Sequence, residues 1–180
     1  MPTALFPSLL DADWPQLAPP VQRMHGVGKL LKASGTAQIE GDTHIVARLL
    51  RRILTLPEPG ADQAIMLTIE RDGRREVWTR RFARGQMRST LQPGRAMTML
   101  RERLGPVSLH FALQRDGAAI DWQLRRITLL GLPLPRVLRG QVLSRSGERD
   151  GRYAFEIDTR LPWVGQLIAY RGWLEIDHVR

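Results

Sequence analysis

Three Asp-Gly dipeptides, Asp72-Gly73, Asp116-Gly117 and Asp150-Gly151, each separate two runs in which apolar and polar residues alternate. Such a pair between alternating runs is a strong hairpin signal, because both central residues of a type I′ turn need positive φ. The chain is thereby committed to antiparallel β structure. Arg84-Gly85 adds a fourth, weaker turn. Together these turns predict strands over 64–71, 75–83, 86–91, 107–115, 118–128, 140–149, 152–160 and 168–177, with a ninth over 29–40. Between the ninth strand and the rest, Ile45, Val46, Leu49, Leu50, Ile53 and Leu54 recur at helical spacing. That pattern predicts one amphipathic helix over 43–56, capped by Asp42 or Thr43 and stopped by Pro57. A short helix is also expected within 13–24, interrupted by Pro15, Pro19 and Pro20.

Turn positions set the pairing, and the pairing shows which side chains share a face. A two-residue turn at Asp72-Gly73 puts Leu67 opposite Trp78 and Ile65 opposite Arg80. One at Arg84-Gly85 puts Phe82 opposite Met87, Arg80 opposite Ser89 and Trp78 opposite Leu91. The other face carries Thr68, Val77, Thr79, Arg81, Arg88 and Thr90. At Asp116-Gly117 the inner pairs are Leu113 with Ile120, Phe111 with Trp122, Leu109 with Leu124 and Val107 with Arg126. In the last hairpin Tyr153, Phe155 and Ile157 face inward, while Arg145 lies opposite Glu156 on the outside. One core containing Trp78, Phe82, Leu109, Phe111, Trp122, Phe155 and Ile157 is expected.

Eight or nine strands with a single apolar face need something to cover it, and one helix cannot cover a wide flat sheet. The expected class is therefore α+β, mainly β. It is a strongly curved antiparallel sheet or incomplete barrel of eight to nine strands, with the amphipathic helix after the first strand against its concave side or mouth and a short N-terminal helix. At 180 residues, one domain spanning 1–180 suffices.

Composition narrows the chemistry. Cysteine is absent, which excludes disulfides, thiolate metal sites and a cysteine nucleophile. His25, His44, His110 and His178 are scattered without ligand spacing, so no metal site is assigned. Gly26-Val27-Gly28-Lys29 lacks the phosphate-loop spacing and precedes a strand. The carboxylate pairs Glu156/Asp158 and Glu175/Asp177 project away from the apolar face, and no Gly-x-Ser-x-Gly elbow is present. No catalytic residue and no cofactor is assigned, and the pattern favours binding over catalysis. The first residues lack the basic leader of a secretion signal, and no apolar run approaches the roughly 20 residues of a membrane span. A cytoplasmic protein is expected. The net charge of +9 is carried almost wholly by arginine, with Lys29 and Lys32 the two lysines.

Two arginines, Arg80 and Arg126, fall on the predicted inner face, close to Trp78 and Phe82 in one case and Trp122 in the other. A buried charge without a partner costs several kcal/mol, so each needs one. An internal ion pair with Glu76 or Glu148, or a side chain reaching out at the rim, would satisfy them structurally. A guanidinium in an aromatic-lined cavity would instead hold a carboxylate or phosphate on an otherwise apolar ligand. The candidate ligand-binding set is Arg80, Arg126, Trp78, Phe82, Ser89, Trp122 and Tyr170.

The stretches Glu76-Val77-Trp78-Thr79-Arg80-Arg81-Phe82, Arg103-Leu104-Gly105-Pro106, Gly131-Leu132-Pro133-Leu134-Pro135 and Asp150-Gly151-Arg152-Tyr153, leading to Tyr170-Arg171-Gly172-Trp173-Leu174, resemble the bacterial domain-of-unknown-function family 4166. The resemblance extends over essentially the whole chain. In some chains that family follows a saccharopine-dehydrogenase-like oxidoreductase, and the resemblance implies no catalytic residues. Three functions are in view. The first is a non-catalytic or accessory domain that binds an amphipathic acidic small molecule, lipid-like or fatty-acid-like, in its concave face. The second is an interaction module serving an oxidoreductase in trans. The third, prompted by the charge and by Arg48, Arg51 and Arg52, is a non-specific nucleic-acid binder; against it, the aromatics point inward and offer no stacking platform.

Overall fold

Ten antiparallel strands close into a barrel in the computed structural model, which describes residues 4–96 and 98–180. In chain order the helices are α1 (Leu5–Leu10), α2 (Pro19–His25), α3 (Ile45–Ile53) and the single turn α4 (Arg136–Arg139), with a 3-10 segment at Asp11–Gln16. The strands are β1 (Leu30–Glu40), β2 (Gly60–Asp72), β3 (Arg75–Phe82), β4 (Gln86–Pro93), β5 (Met99–Leu104), β6 (Val107–Asp116), β7 (Ala119–Leu129), β8 (Leu132–Pro133), β9 (Gln141–Arg149), β10 (Arg152–Leu161) and β11 (Gly165–Val179). Each strand pairs with its neighbour in sequence except at β1–β11 and β7–β9, which join the ring, while β8 only extends β7.

The sheet is thus closed, not incomplete, and has ten strands, not eight or nine. The unforeseen strand is β5. Its inward positions are Leu100, Glu102 and Leu104, and the glutamate in the middle hides the alternation. Closure leaves no free edge, and a ring of this size has room inside for a ligand. The seam between β7 and β9 is thin: only Ile120 with Ser146 and Asp121 with Arg145 pair across it. Arg145 straps it from outside, 2.6 Å from both Asp116 and Asp121.

Turn chemistry also differs from expectation at two of the three Asp-Gly sites. Asp150 and Gly151 both have positive φ, 52° and 74°, as a type I′ turn requires, and Arg145 lies opposite Glu156. At the other two, the aspartate closes the ladder and glycine opens the loop, since Asp72 pairs with Arg75 and Asp116 with Ala119. Only Gly73 and Gly117 then carry positive φ, 58° each, the arrangement with glycine at the first turn position. Pairings move by two residues: Leu67 lies opposite Arg80, Ile69 opposite Trp78, and Leu113 opposite Trp122. Trp78 is likewise opposite Ser89, and Arg80 opposite Met87. A shift of two keeps every side chain on its face, so the inner face survives the correction.

A β-bulge does not. Phe111 pairs with Leu124 but His110 with Arg126, so Arg125 is the extra residue on β7. Beyond the bulge the faces exchange. Ile127 turns inward and Arg126 outward into solvent, beside His110.

The N-terminal segment plugs one end of the barrel. Leu5, Phe6, Val21, Met24 and His25 are fully buried there, and Phe6 and His25 sit in a cluster of rings with Trp78 and Trp122. The Ala18 N–H donates to the Ala118 carbonyl at 2.9 Å, and Arg115 pairs with Asp13. In place of the single short helix expected within 13–24, the 3-10 segment Asp11–Gln16 is followed by α2, which Pro19 opens at its first turn where a missing N–H costs nothing, and α1 precedes both.

Helix α3 lies at the opposite end, as expected, but its cap and its face differ. His44 caps it, accepting from the Val46 N–H at 3.2 Å, while Asp42 accepts from the His44 N–H. Ala47 and Arg51 are buried and Leu50 and Leu54 half-buried, whereas Ile45, Val46, Leu49 and Ile53 are exposed. Arg51 sets this roll. Its Nη1 donates to the carbonyls of Asp42 (3.0 Å) and Leu167 (2.9 Å), closing backbone groups that strand pairing leaves open. Gly41 makes room, since a Cβ there would stand 2.8 Å from that nitrogen.

Candidate binding cavity

Between plug and helix the barrel encloses a cavity of about 220 Å³. Its wall is overwhelmingly apolar. Leu67, Met87, Phe111, Phe155 and Leu174 come from the strands, and Leu50, Leu54, Leu134 and Leu138 close it from the α3 and α4 side. Gly172 lies opposite Phe155 in the β10–β11 ladder, and a Cβ there would stand 3.0 Å from the Phe155 ring. The same Cβ would overlap the Thr36 carbonyl oxygen of β1, so the close approach of β1 requires glycine first and the Phe155 ring second.

Polar groups reach this wall chiefly in one cluster. Strand β3 turns Glu76, Trp78, Arg80 and Phe82 inward by simple alternation, and all four are buried. The Arg80 guanidinium lies over the Trp78 ring, 4.8 Å from its centroid. Its Nη1 donates to Ser89 Oγ at 3.1 Å, and Nη2 stands 3.6 Å from Glu102 Oε1. Arginine has five donors, and 3.6 Å is long for a hydrogen bond, so the guanidinium keeps donors for another acceptor. Tyr170 shares the wall; burial pushes its hydroxyl pKa up against the pull of Arg80. Among the described residues, the buried Trp122 indole N–H has no partner.

Behind this layer a second network ties plug to barrel. Glu76 Oε1 accepts from Arg71 Nε (3.1 Å) and Oε2 from Trp78 Nε1 (2.7 Å), and Arg71 Nη2 donates to the Met24 carbonyl (2.6 Å). Burial raises the Glu76 pKa, opposed by Arg71 and by the two hydrogen bonds. His25 Nε2 is 3.2 Å from the Tyr153 hydroxyl, which donates to Ser146 Oγ at 2.9 Å. Burial, then Arg71 and Arg80, hold His25 well below its ordinary pKa, and burial pushes the Tyr153 phenol up. Both stay neutral near pH 7, and His25 stands behind Tyr153 outside the cavity wall. This network ties the plug to the barrel, and its members Trp78, Ser146 and Tyr153 also line the cavity.

Of the residues singled out from sequence, the cavity brings together Arg80, Trp78, Trp122 and Tyr170. Ser89 supports Arg80 from the neighbouring strand, and Phe82 packs edge-on to Tyr170 with centroids 6.2 Å apart. Arg126 is outside, for the reason given by the bulge. The ion-pair partner of Arg80 is Glu102, not Glu76 or Glu148. Sequence reasoning missed Glu102, Tyr153 and Ser146. The alternation Leu100-Arg101-Glu102-Arg103-Leu104 ahead of Gly105-Pro106 was a usable signal for the first.

Several polar groups on the outer surface are paired. Arg152 lies over Trp173 at 4.3 Å and near Glu175, Arg160 pairs with Asp158, and Ser34 donates to Asp177. Among the described residues no helix is long and apolar enough to cross a membrane.

The family model described as Domain of unknown function (DUF4166) matches residues 17–174. The chain belongs to the DUF4166 family. The match covers α2 and every strand that lines the cavity of this DUF4166 domain, through Leu174 in β11. The segment Glu76–Phe82, on which the resemblance was drawn, is strand β3, source of Arg80 and Trp78; Gly131–Pro135 runs through β8 to the lid. No curated protein matches the chain.

Proposed function

We propose that this DUF4166 domain is a binding barrel for an amphipathic acidic small molecule, fatty-acid-like, with its acid group on Arg80 and its apolar body along the cavity. The observation that carries the reading is a buried guanidinium with uncommitted donors in a mostly apolar wall. Burying an apolar body supplies affinity, and a few placed polar groups set orientation. The pair with Glu102 makes the polar spot nearly neutral overall, so a carboxylate must compete with Glu102 for Arg80. That favours a ligand whose affinity comes mostly from its tail.

Native mass spectrometry of freshly purified protein tests this directly. A co-purified acyl or similarly amphipathic mass is expected, lost on delipidation and replaced by added dodecanoate. Protein that is bare as purified and gains no mass from dodecanoate contradicts the reading.

A further inference from the structure

The end of the barrel away from the plug carries an unusual surface. Five connections meet there: the α3 segment between β1 and β2, the Arg84 turn, Gly105-Pro106, residues 130–140 and the turn 162–164. Their tips expose large apolar side chains to solvent, with Ile45 at 70%, Leu130 at 79% and Trp163 at 77%. Leu49, Ile53 and Leu132 add to the same rim. Four exposed arginines, Arg48, Arg52, Arg84 and Arg136, lie among them, against the carboxylates Asp42 and Glu58. A contiguous exposed apolar patch calls for a partner. Here the apolar groups stand on separate connections at one end of the barrel, and the arginines stand on the same connections.

We infer that this rim docks on an anionic lipid bilayer, with Trp163 and the outer side of α3 in the interfacial layer and the arginines on lipid phosphates. Indole rings favour that layer, and an apolar helix face flanked by arginine binds it through buried area plus charge. The roll imposed by Arg51 is what presents Ile45, Leu49 and Ile53 outward, where a folded core would have drawn them in. The inner sides of the same connections, Leu50, Leu54 and Leu138, line the cavity. A bilayer on the rim would therefore abut the lid of the cavity. This step goes beyond the ligand reading and does not depend on it, because the docking groups are outside the cavity.

Co-sedimentation with vesicles of phosphatidylcholine alone and of phosphatidylcholine mixed equally with phosphatidylglycerol tests the inference. Wild type is expected on the anionic vesicles, less at high salt, and little on the neutral ones. L49E combined with W163Q should weaken binding about tenfold or more by removing apolar contact. R48Q combined with R52Q should weaken it by a similar factor on anionic vesicles only. All four positions are exposed, and thermal melting checks that both variants are folded; if one is not, the other decides. R80M should sediment like wild type even if it no longer binds dodecanoate, so failure of the ligand reading and failure of docking are separable. Absence of wild-type sedimentation, equal binding to neutral vesicles, or binding unchanged in both rim variants overturns the inference. So does a dimer in solution that L49E dissociates, since a second copy would then be the cover.

Discussion

Glu76→Gln is expected to cost about 3 to 5 kcal/mol, the usual penalty for removing one partner of a buried ion pair. Glu76 is fully buried and bonds both Arg71 and Trp78, and Arg71 in turn holds the Met24 carbonyl at the end of α2. Glutamine can keep one bond but leaves the Arg71 charge uncompensated beside the plug. Replacing both Glu76 and Arg71 by Met should recover much of the loss, since buried pairs often give way to apolar residues at little cost. Urea denaturation midpoints measure both. A single-variant loss under about 1 kcal/mol, the range of a surface change, would mean that the pair does not secure the plug.

Phe111→Ala should be comparably damaging, at about 3 to 5 kcal/mol. Its ring is 1% exposed and meets Trp122 of the neighbouring strand β7 edge-on at 5.7 Å. Truncation removes burial and enlarges the neighbouring cavity, and both act in the same direction. The same denaturation measurement applies, and a loss below about 1 kcal/mol would place this ring outside the core.

Much of this architecture is legible in the sequence because hairpins are local. Turn glycines and alternation gave nine of the ten barrel strands and the inner face holding Trp78, Arg80, Phe111, Trp122 and Phe155. Leu109 and Ile157, also assigned to the core, are only half-buried because they border the cavity. What local patterns cannot carry is closure, which depends on β1 meeting β11 across most of the chain. Two of the remaining misreadings share a cause: polar residues placed inward for a partner on another element. Glu102 hid β5 because it reaches Arg80 over the inner face of the intervening strand β4. Arg51 rolled α3 against its apolar pattern because two distant carbonyls needed a donor. Arg126 left the interior because a single bulge residue exchanged the faces of β7, which alternation by itself does not announce.

The claim at the centre of this account is that Arg80 receives the acid group of a cavity ligand in competition with Glu102. Isothermal titration of dodecanoate and dodecanol into wild type, Arg80→Met and Glu102→Gln tests it by sign. Arg80→Met should weaken dodecanoate by about tenfold or more, the scale of a charge-assisted bond, and leave dodecanol nearly unchanged. Glu102→Gln should move dodecanoate the other way, to tighter binding, because the guanidinium is released and a like charge removed. Dodecanoate affinity that is the same in all three proteins, or that falls equally in both variants alongside dodecanol, would contradict the account.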